Sequence, residues 1–459
     1  MSIHDKIMGS HNKKGSAMAS IAQKQMFGWE DLEIVGDLER LSLVLENMPD
    51  ESLMVALEKH RGNGRNEFPI RPMWNSILAG IVFQHLGIES LRRELLRNGQ
   101  LLAICGFDSL LGTKAVPPSW AYSRFLKNMI KHQEQIDKMF EQLVSRISEL
   151  LPDFGTHLAI DGKHLASHGK PVKDEEKRNK EDGRRDTDAD WGMKTYGGMD
   201  QDGNAWKKVK SWFGYKLHLI VDSSYELPVM YKMTKASVAE QPVGLEMIKG
   251  LAHHAPEVAE RAESISGDRG YDDTKIIVEC WDNQGIKPII DIRNCWKDGE
   301  ETRLVTSQTN VVYDFKGTVS CICMKTGTER LMVFGGFEKD RGSLKYLCPA
   351  KYYGIVCEGQ AQCPITHQIR IPLSEDRRIF IPVARSTPKF DRMYDSRTAV
   401  ERVNSRIDNV FGFEKHFIRG EKKMRIRLSL ALTVMLAMAC GRVKQNKPEL
   451  LRSLLKPAA

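Results

Sequence analysis

Three carboxylates carry the chemistry that this sequence suggests. "AIDGKHL" sets Asp161 at the end of an apolar run, followed at once by a glycine. "SISGDRGYDD" repeats the arrangement with Asp268, between Gly267 and a Gly270–Tyr271 pair. Glycine lets the chain turn sharply and lets another group come close, and open α/β sheets place ligand chemistry at strand ends. Taken alone, the second fragment reads as a surface turn with a solvated Asp; partners elsewhere in the chain change that. "YDSRTAVERVNSR" supplies Glu401, with Arg397 four positions earlier and Tyr394 three before that, so a helix would put them on one face. Three converging carboxylates suit Mg²⁺ or Mn²⁺, which prefer oxygen ligands and keep positions open for water and phosphate. Two such ions can activate a water or a 3′-hydroxyl and stabilise the leaving oxygen of an in-line phosphodiester displacement.

Such residues need a scaffold. Residues 1–27 are polar and small and are expected to form a disordered tail. From there to about residue 150 apolar residues recur at helical spacing, in "LERLSLVLENMPDESLMVALEKH" and "RPMWNSILAGIVFQHLGIESLRRELLRN". After a Pro-Pro stop, "SWAYSRFLKNMIKHQEQIDKMFEQLVSRISELL" predicts one long helix. Residues 28–150 thus read as an all-helical domain. The pattern changes at "FGTHLAIDGKHL", a strand, followed by a charged loop, "KPVKDEEKRNKEDGRRDTDADWG". Then come a hairpin around "DSSYELP", a helix, the strand before Asp268, another helix and the strand "IKPIIDIR". This order predicts a mixed α/β core beginning with 151–293. Residues 294–388, rich in Cys and Gly, read as an inserted β-rich subdomain, and 389–459 as the final core helices with a basic C-terminus.

The chain's 459 residues suggest two or three units. Lys and Arg exceed Asp and Glu by 68 to 60, a mild excess compatible with a polyanion. Its strongest cluster is "KHFIRGEKKMRIR", 415–427. The most apolar run, 428–440, is shorter than the ~20 residues a membrane span needs. The first residues lack a signal-type apolar core, so a cytoplasmic protein with no membrane partner is expected.

Nine cysteines do not suggest a disulfide framework in that compartment. Cys321, Cys323, Cys348, Cys357 and Cys363 are read instead as a structural Zn²⁺ site, with His367 as a substitute ligand and ordinary reduced thiols as the alternative. "DTDADWG" lacks the Gly and Glu of a calcium loop and reads as solvated. His164 and His168 read as ordinary residues near the cleft. Trp191, Trp206 and Trp212 read as core, with base stacking as the alternative.

Together these fragments resemble a DDE transposase of a bacterial insertion sequence, of the group with a Y-x₂-R-x₃-E-x₆-K signature. The resemblance runs from about residue 70 to 440, through "RPMWNSILAGIVFQHLGIESLRRELLRNG", "AIDGKHL", "GYKLHLIVDSSYELP", "GDRGYDD" and "YDSRTAVERVNSRIDNVFGFEKHFIRG". It implies an RNase H-like core in which Asp161, Asp268 and Glu401 hold Mg²⁺ (or Mn²⁺), with Tyr394 and Arg397 contacting DNA. It also implies double-stranded DNA as partner (terminal inverted repeats and target), a homo-oligomeric synaptic complex at the nucleoid, and cut-and-paste strand transfer. The signature's lysine falls at Asp408, so Arg402, Arg406 or Lys415 is expected to reach the phosphate instead, with Arg419, Lys422 and Lys423 completing the DNA-facing set. The alternative is a decayed or domesticated transposase acting as a DNA-binding repressor.

Overall fold

The computed structural model describes residues 37–62, 67–171, 185–199 and 204–452. The expected tail and most of the charged loop before residue 185 lie outside these. Up to Leu150 the described chain is helical: α1 (Leu38–Asn47), α2 (Glu51–Arg61), α3 (Ile70–Val82), α4 (Ile88–Arg97), α5 (Gly99–Cys105), α6 (Ser119–Ile130) and α7 (Gln133–Leu150). Pro49 falls between α1 and α2, where proline's missing N–H and fixed φ end a helix. Asp50 beside it is buried but satisfied, accepting from Arg71 Nη1 at 2.7 Å and Trp74 Nε1 at 2.5 Å. The expected single helix over 119–150 is two: His132 leaves helical geometry (φ −112°, ψ 30°), and α7 then buries Ile136, Met139, Phe140, Leu143 and Ile147 as one stripe.

The central sheet is built from β1 (His157–Ala166), β2 (Asp190–Met199), β3 (Ala205–Asp222), β4 (Leu227–Lys235), β5 (Ser264–Gly267) and β6 (Lys287–Ile290). The inner half of β3 lies between β1 and β4, while its outer half pairs with β2. The core order is therefore β4-β3-β1-β5-β6, with β1, β5 and β6 parallel and β3 antiparallel to both its neighbours. Helices α8 (Glu240–His254), α9 (Pro256–Arg261) and α10 (Thr274–Val278) fill the connections. The single helix expected between the hairpin and the strand before Asp268 is two, broken before Pro256, which opens α9.

Next come β7 (Thr302–Leu304), β8 (Val311–Asp314), β9 (Val319–Ile322) and β10 (Glu329–Leu331), one four-stranded sheet. A second sheet joins β11 (Val333–Glu338), β12 (Ser343–Leu347) and β13 (Gln368–Pro372), with α11 (Pro349–Tyr353) between the last two. These strands share a core of their own around Val311, Tyr313, Tyr346, Ile371 and Phe380. The segment docks on the central sheet through Arg378, which donates to the buried Asp272 at 2.8 Å.

The chain returns through α12 (Pro388–Asp395), α13 (Thr398–Asn409) and α14 (Glu421–Lys444). Alternate strand residues face opposite sides. Lys163 of β1 reaches Asp408 of α13, whereas a Cβ at neighbouring Gly162 would point at Glu240 of α8, so the two helices cover opposite faces. Helix α14 is longer than the apolar run suggested. By length and composition it would reach across a membrane, but 89% of its most apolar window is buried, packed against α1, α3 and α7. The helical region and the central sheet thereby share one continuous core.

Candidate active site

Parallel pairing of β1 with β5, with Ile160 opposite Gly267, sets Asp161 beside Asp268. The Gly270 N–H donates to Asp268 Oδ1 at 2.7 Å and fixes that carboxylate. A Cβ at Gly270 would lie 2.6 Å from Asp268 Oδ1 and 2.6 Å from Glu240 Oε2, and one at Gly162 would lie 2.9 Å from Glu240 Oε1. The two glycines therefore leave room for carboxylates. Glu240, the first residue of α8, is the third acid here, and sequence reading missed it because it stands just outside the apolar helical pattern. Burial, and then the charge of Asp268, push the Asp161 carboxyl up to about 6. Fully buried Tyr271 completes the cluster. Its hydroxyl has no hydrogen-bond partner among the described residues, and burial plus the charges of Asp161, Glu240 and Asp268 hold its pKa well above the usual phenol value.

Glu401 approaches from α13. It is exposed and accepts from Arg397 Nη1 at 2.7 Å, while the Arg397 charge also interacts with Asp161. The guanidinium lies 5.5 Å from the Tyr394 ring centroid, and that ring stacks on Phe390 at 5.9 Å. Ser396 Oγ lies 3.3 Å from Ser266 Oγ and pins the α12–α13 junction to β5. The structure thus brings Tyr394, Arg397 and Glu401 to the flank of the aspartate pair, with Arg397 holding Glu401. As placed, no three His, Cys, Asp or Glu side chains among the described residues converge on one metal position. The donors nearby are all oxygens, which is the chemistry of a hard divalent cation.

A sequence profile of the family described as "Transposase DDE domain" matches residues 152–437, from the approach to β1 into α14. The chain belongs to that family. No curated protein sequence matches it. Among solved structures, a cryo-EM structure of a piggyBac transposase synaptic complex with hairpin DNA is similar over 92% of this chain and 80% of that one, at 10% identity and a TM-score of 0.37. That likeness is too distant to carry residue roles.

The transposase domain sorts the other expected residues by burial. Arg406 is buried and donates to the Glu226 backbone oxygen at 2.5 Å and to the Glu226 carboxylate. It braces the β3–β4 hairpin, so the expectation that it faces DNA is corrected. Arg402 shares that carboxylate at 2.6 Å but remains half exposed. Lys415, Lys422 and Lys423 are exposed. Arg419, Lys423 and Arg427 line a cavity of about 700 Å³ against α3, α4 and α6. Asp408, where the signature has lysine, pairs with Lys163 Nζ at 2.5 Å.

Two readings of ordinary residues also change. "DTDADWG" is not simply solvated: Asp186 is buried and accepts from Ser167 Oγ, Tyr215 Oη and Gly420 N. Burial opposes its charge, but these bonds together hold its carboxyl below the usual range. The tryptophans are not core. Trp191 and Trp206 are exposed and Trp212 is half-buried, because β2 and the outer half of β3 extend past the rest of the sheet.

In the β-rich segment all five expected cysteines line a cavity of about 20 Å³, with Cys323 and Cys357 Sγ atoms 4.0 Å apart. Hydrogen bonds from the Thr326 hydroxyl and from backbone N–H groups of Thr326, Lys325 and Gly359 hold the Cys323 thiol down to about 6. His367 is exposed and does not line this cavity.

Proposed function

We propose that this transposase is a metal-dependent enzyme that cuts the ends of its own insertion sequence and joins them to target DNA by cut-and-paste transfer. The observation that carries the reading is the juxtaposition of Asp161, midway along β1, with Asp268, just past the end of parallel β5, flanked by Arg397 and Glu401. The strand order, with β3 alone reversed and α13 across β1, supports an RNase H-like core. Asp161 and Asp268, joined by Glu401, would hold Mg²⁺ or Mn²⁺. When bound, that cation would activate a water or 3′-hydroxyl and stabilise the leaving oxygen. Arg397 holds Glu401 until a DNA phosphate competes for its guanidinium, and Tyr394, stacked on Phe390, keeps Arg397 in place. Lys415, Arg419, Lys422, Lys423 and Arg402 would contact the backbone of the inverted repeats and target. The enzyme would act as a homo-oligomer at the bacterial nucleoid.

The test is cleavage and strand transfer on linear duplex carrying the element's flanking repeats. Wild type should act only with Mg²⁺ or Mn²⁺, and Asp268→Ala should bind but not cut. Cleavage without a divalent cation, or by the variant at the wild-type rate, overturns the proposal. A structural Zn²⁺ in the β-rich segment belongs to the same reading. Its support is that Cys321, Cys323, Cys348, Cys357 and Cys363 all line one small cavity, although as placed no three of them close on a single ion position. Elemental analysis should find zinc in wild type and lose it in Cys323→Ser; zinc-free wild type removes it.

A further inference from the structure

We propose that the paired β2 and outer β3 strands form an arm that lies in the major groove of duplex DNA beside the catalytic strands. This inference rests on the transposase reading and adds the surface that engages the duplex. The arm runs from the Asp190–Gly214 pair to the Met199–Ala205 pair. At about 3.4 Å per residue it is roughly 30 Å long. Residues 204–211 are all exposed, and Trp191, Met193 and Met199 are 58%, 71% and 77% exposed. A two-stranded ribbon is marginal by itself in water, and such exposed apolar side chains mark an interaction surface.

One face of the arm is ordered by aromatic rings laid on glycines. Trp212 packs over Gly192, and Trp206 covers Gly198 so closely that a Cβ there would meet the ring at 2.9 Å. Between these rings Lys194 stands directly opposite Lys210, with Lys208 further out on the same face. From Asp190 to Gly214 the sequence carries Lys194, Lys207, Lys208 and Lys210 against Asp190, Asp200 and Asp202, and within the paired strands themselves lysine is the prevailing charge. The arrangement suits a polyanion. A major groove about 12 Å wide admits a two-stranded ribbon, and the lysines can then reach phosphates. The face is continuous with the catalytic strand, for Lys210 Nζ lies 3.3 Å from His164 Nε2, on β1 three residues after Asp161.

The experiment measures binding of the full chain to a fluorescent random-sequence 40-base-pair duplex as salt is raised, for wild type, Lys208→Gln/Lys210→Gln and Lys208→Arg/Lys210→Arg. Sedimentation of each protein is run alongside. The glutamine pair should make the slope of log affinity against log salt shallower by about two, one per phosphate contact, and the arginine pair should restore it. An unchanged slope with wild type bound overturns the arm alone. A changed oligomeric state with an unchanged slope assigns the arm to contacts between copies and also overturns it. No DNA binding by wild type overturns the transposase reading and the arm together.

Discussion

At the scale of single residues, the acidic cluster is larger than the aspartate pair. Glu240 and Tyr271 touch the same small volume as Asp161 and Asp268, and the two glycines that admit them have no other packing role as clear. Glu240→Gln is expected to lower Mg²⁺-dependent cleavage at least tenfold while leaving DNA affinity unchanged, read by the cleavage and binding assays in parallel. Asp408 was the one departure from the signature. Because it neutralises Lys163, whose side chain is only 8% exposed, restoring the signature by Asp408→Lys would set two cations together. That variant should unfold more easily by about 3 kcal/mol, the scale for breaking a buried pair, and should not gain activity. Denaturant midpoints and cleavage rates check both parts.

At the scale of elements, the β3–β4 hairpin is held by buried charge. Glu226 at its turn gathers Arg402 and Arg406 from α13 and so fixes the helix that carries Glu401. Arg406→Ala should cost about 3–5 kcal/mol of stability, with the salt slope of DNA binding unchanged. A slope that falls by one would return Arg406 to the DNA-contacting set. Just before the turn, Asp222 accepts backbone N–H bonds from Gly155 and Tyr225, yet burial dominates and pushes its carboxyl up to about 6. The folded state therefore holds this proton more tightly than the unfolded chain. The stability contribution is full below pH about 4 and is lost as pH rises through about 6. Across that window wild type should lose about 3 kcal/mol relative to Asp222→Asn, measured by thermal unfolding at a series of pH values.

At the scale of the molecule, α14 ties the helical region to the sheet. Gly441 is packed so closely against α1 that a Cβ would come within 2.8 Å of Leu43 Cδ2, and Lys444 donates to Asn47 Oδ1 at 2.7 Å. A fragment beginning at residue 151 would expose the apolar side of α14 that α1, α3 and α7 cover. It should aggregate, whereas the whole chain should stay monodisperse; light scattering of the two distinguishes the outcomes. A well-behaved fragment would show that the sheet stabilises α14 without the helical region.

Local chemistry was legible in the sequence. Asp161 and Asp268 stood out because an apolar run, a carboxylate and a glycine are consecutive, although β1 carries on past Asp161 to Ala166, and the Tyr394–Arg397–Glu401 set stood out because helical spacing is a property of neighbours. The hairpin around Glu226 and the separate texture of 294–388 followed from similar short-range patterns. What depended on distant packing was not legible. Nothing near Glu240 announces that α8 will aim it at Gly270, and Arg406 looks like any helix-face cation until Glu226 arrives from a hairpin far away in sequence. The tryptophans of β2 and β3 read as core because strand patterning does not reveal which strands outrun their sheet. Sequence alone determined which groups could do chemistry and the elements that bear them. Only the tertiary structure decided which charges are neutralised by burial and pairing and which remain for a partner, because desolvation depends on every element packed around a group and not on its neighbours in the chain.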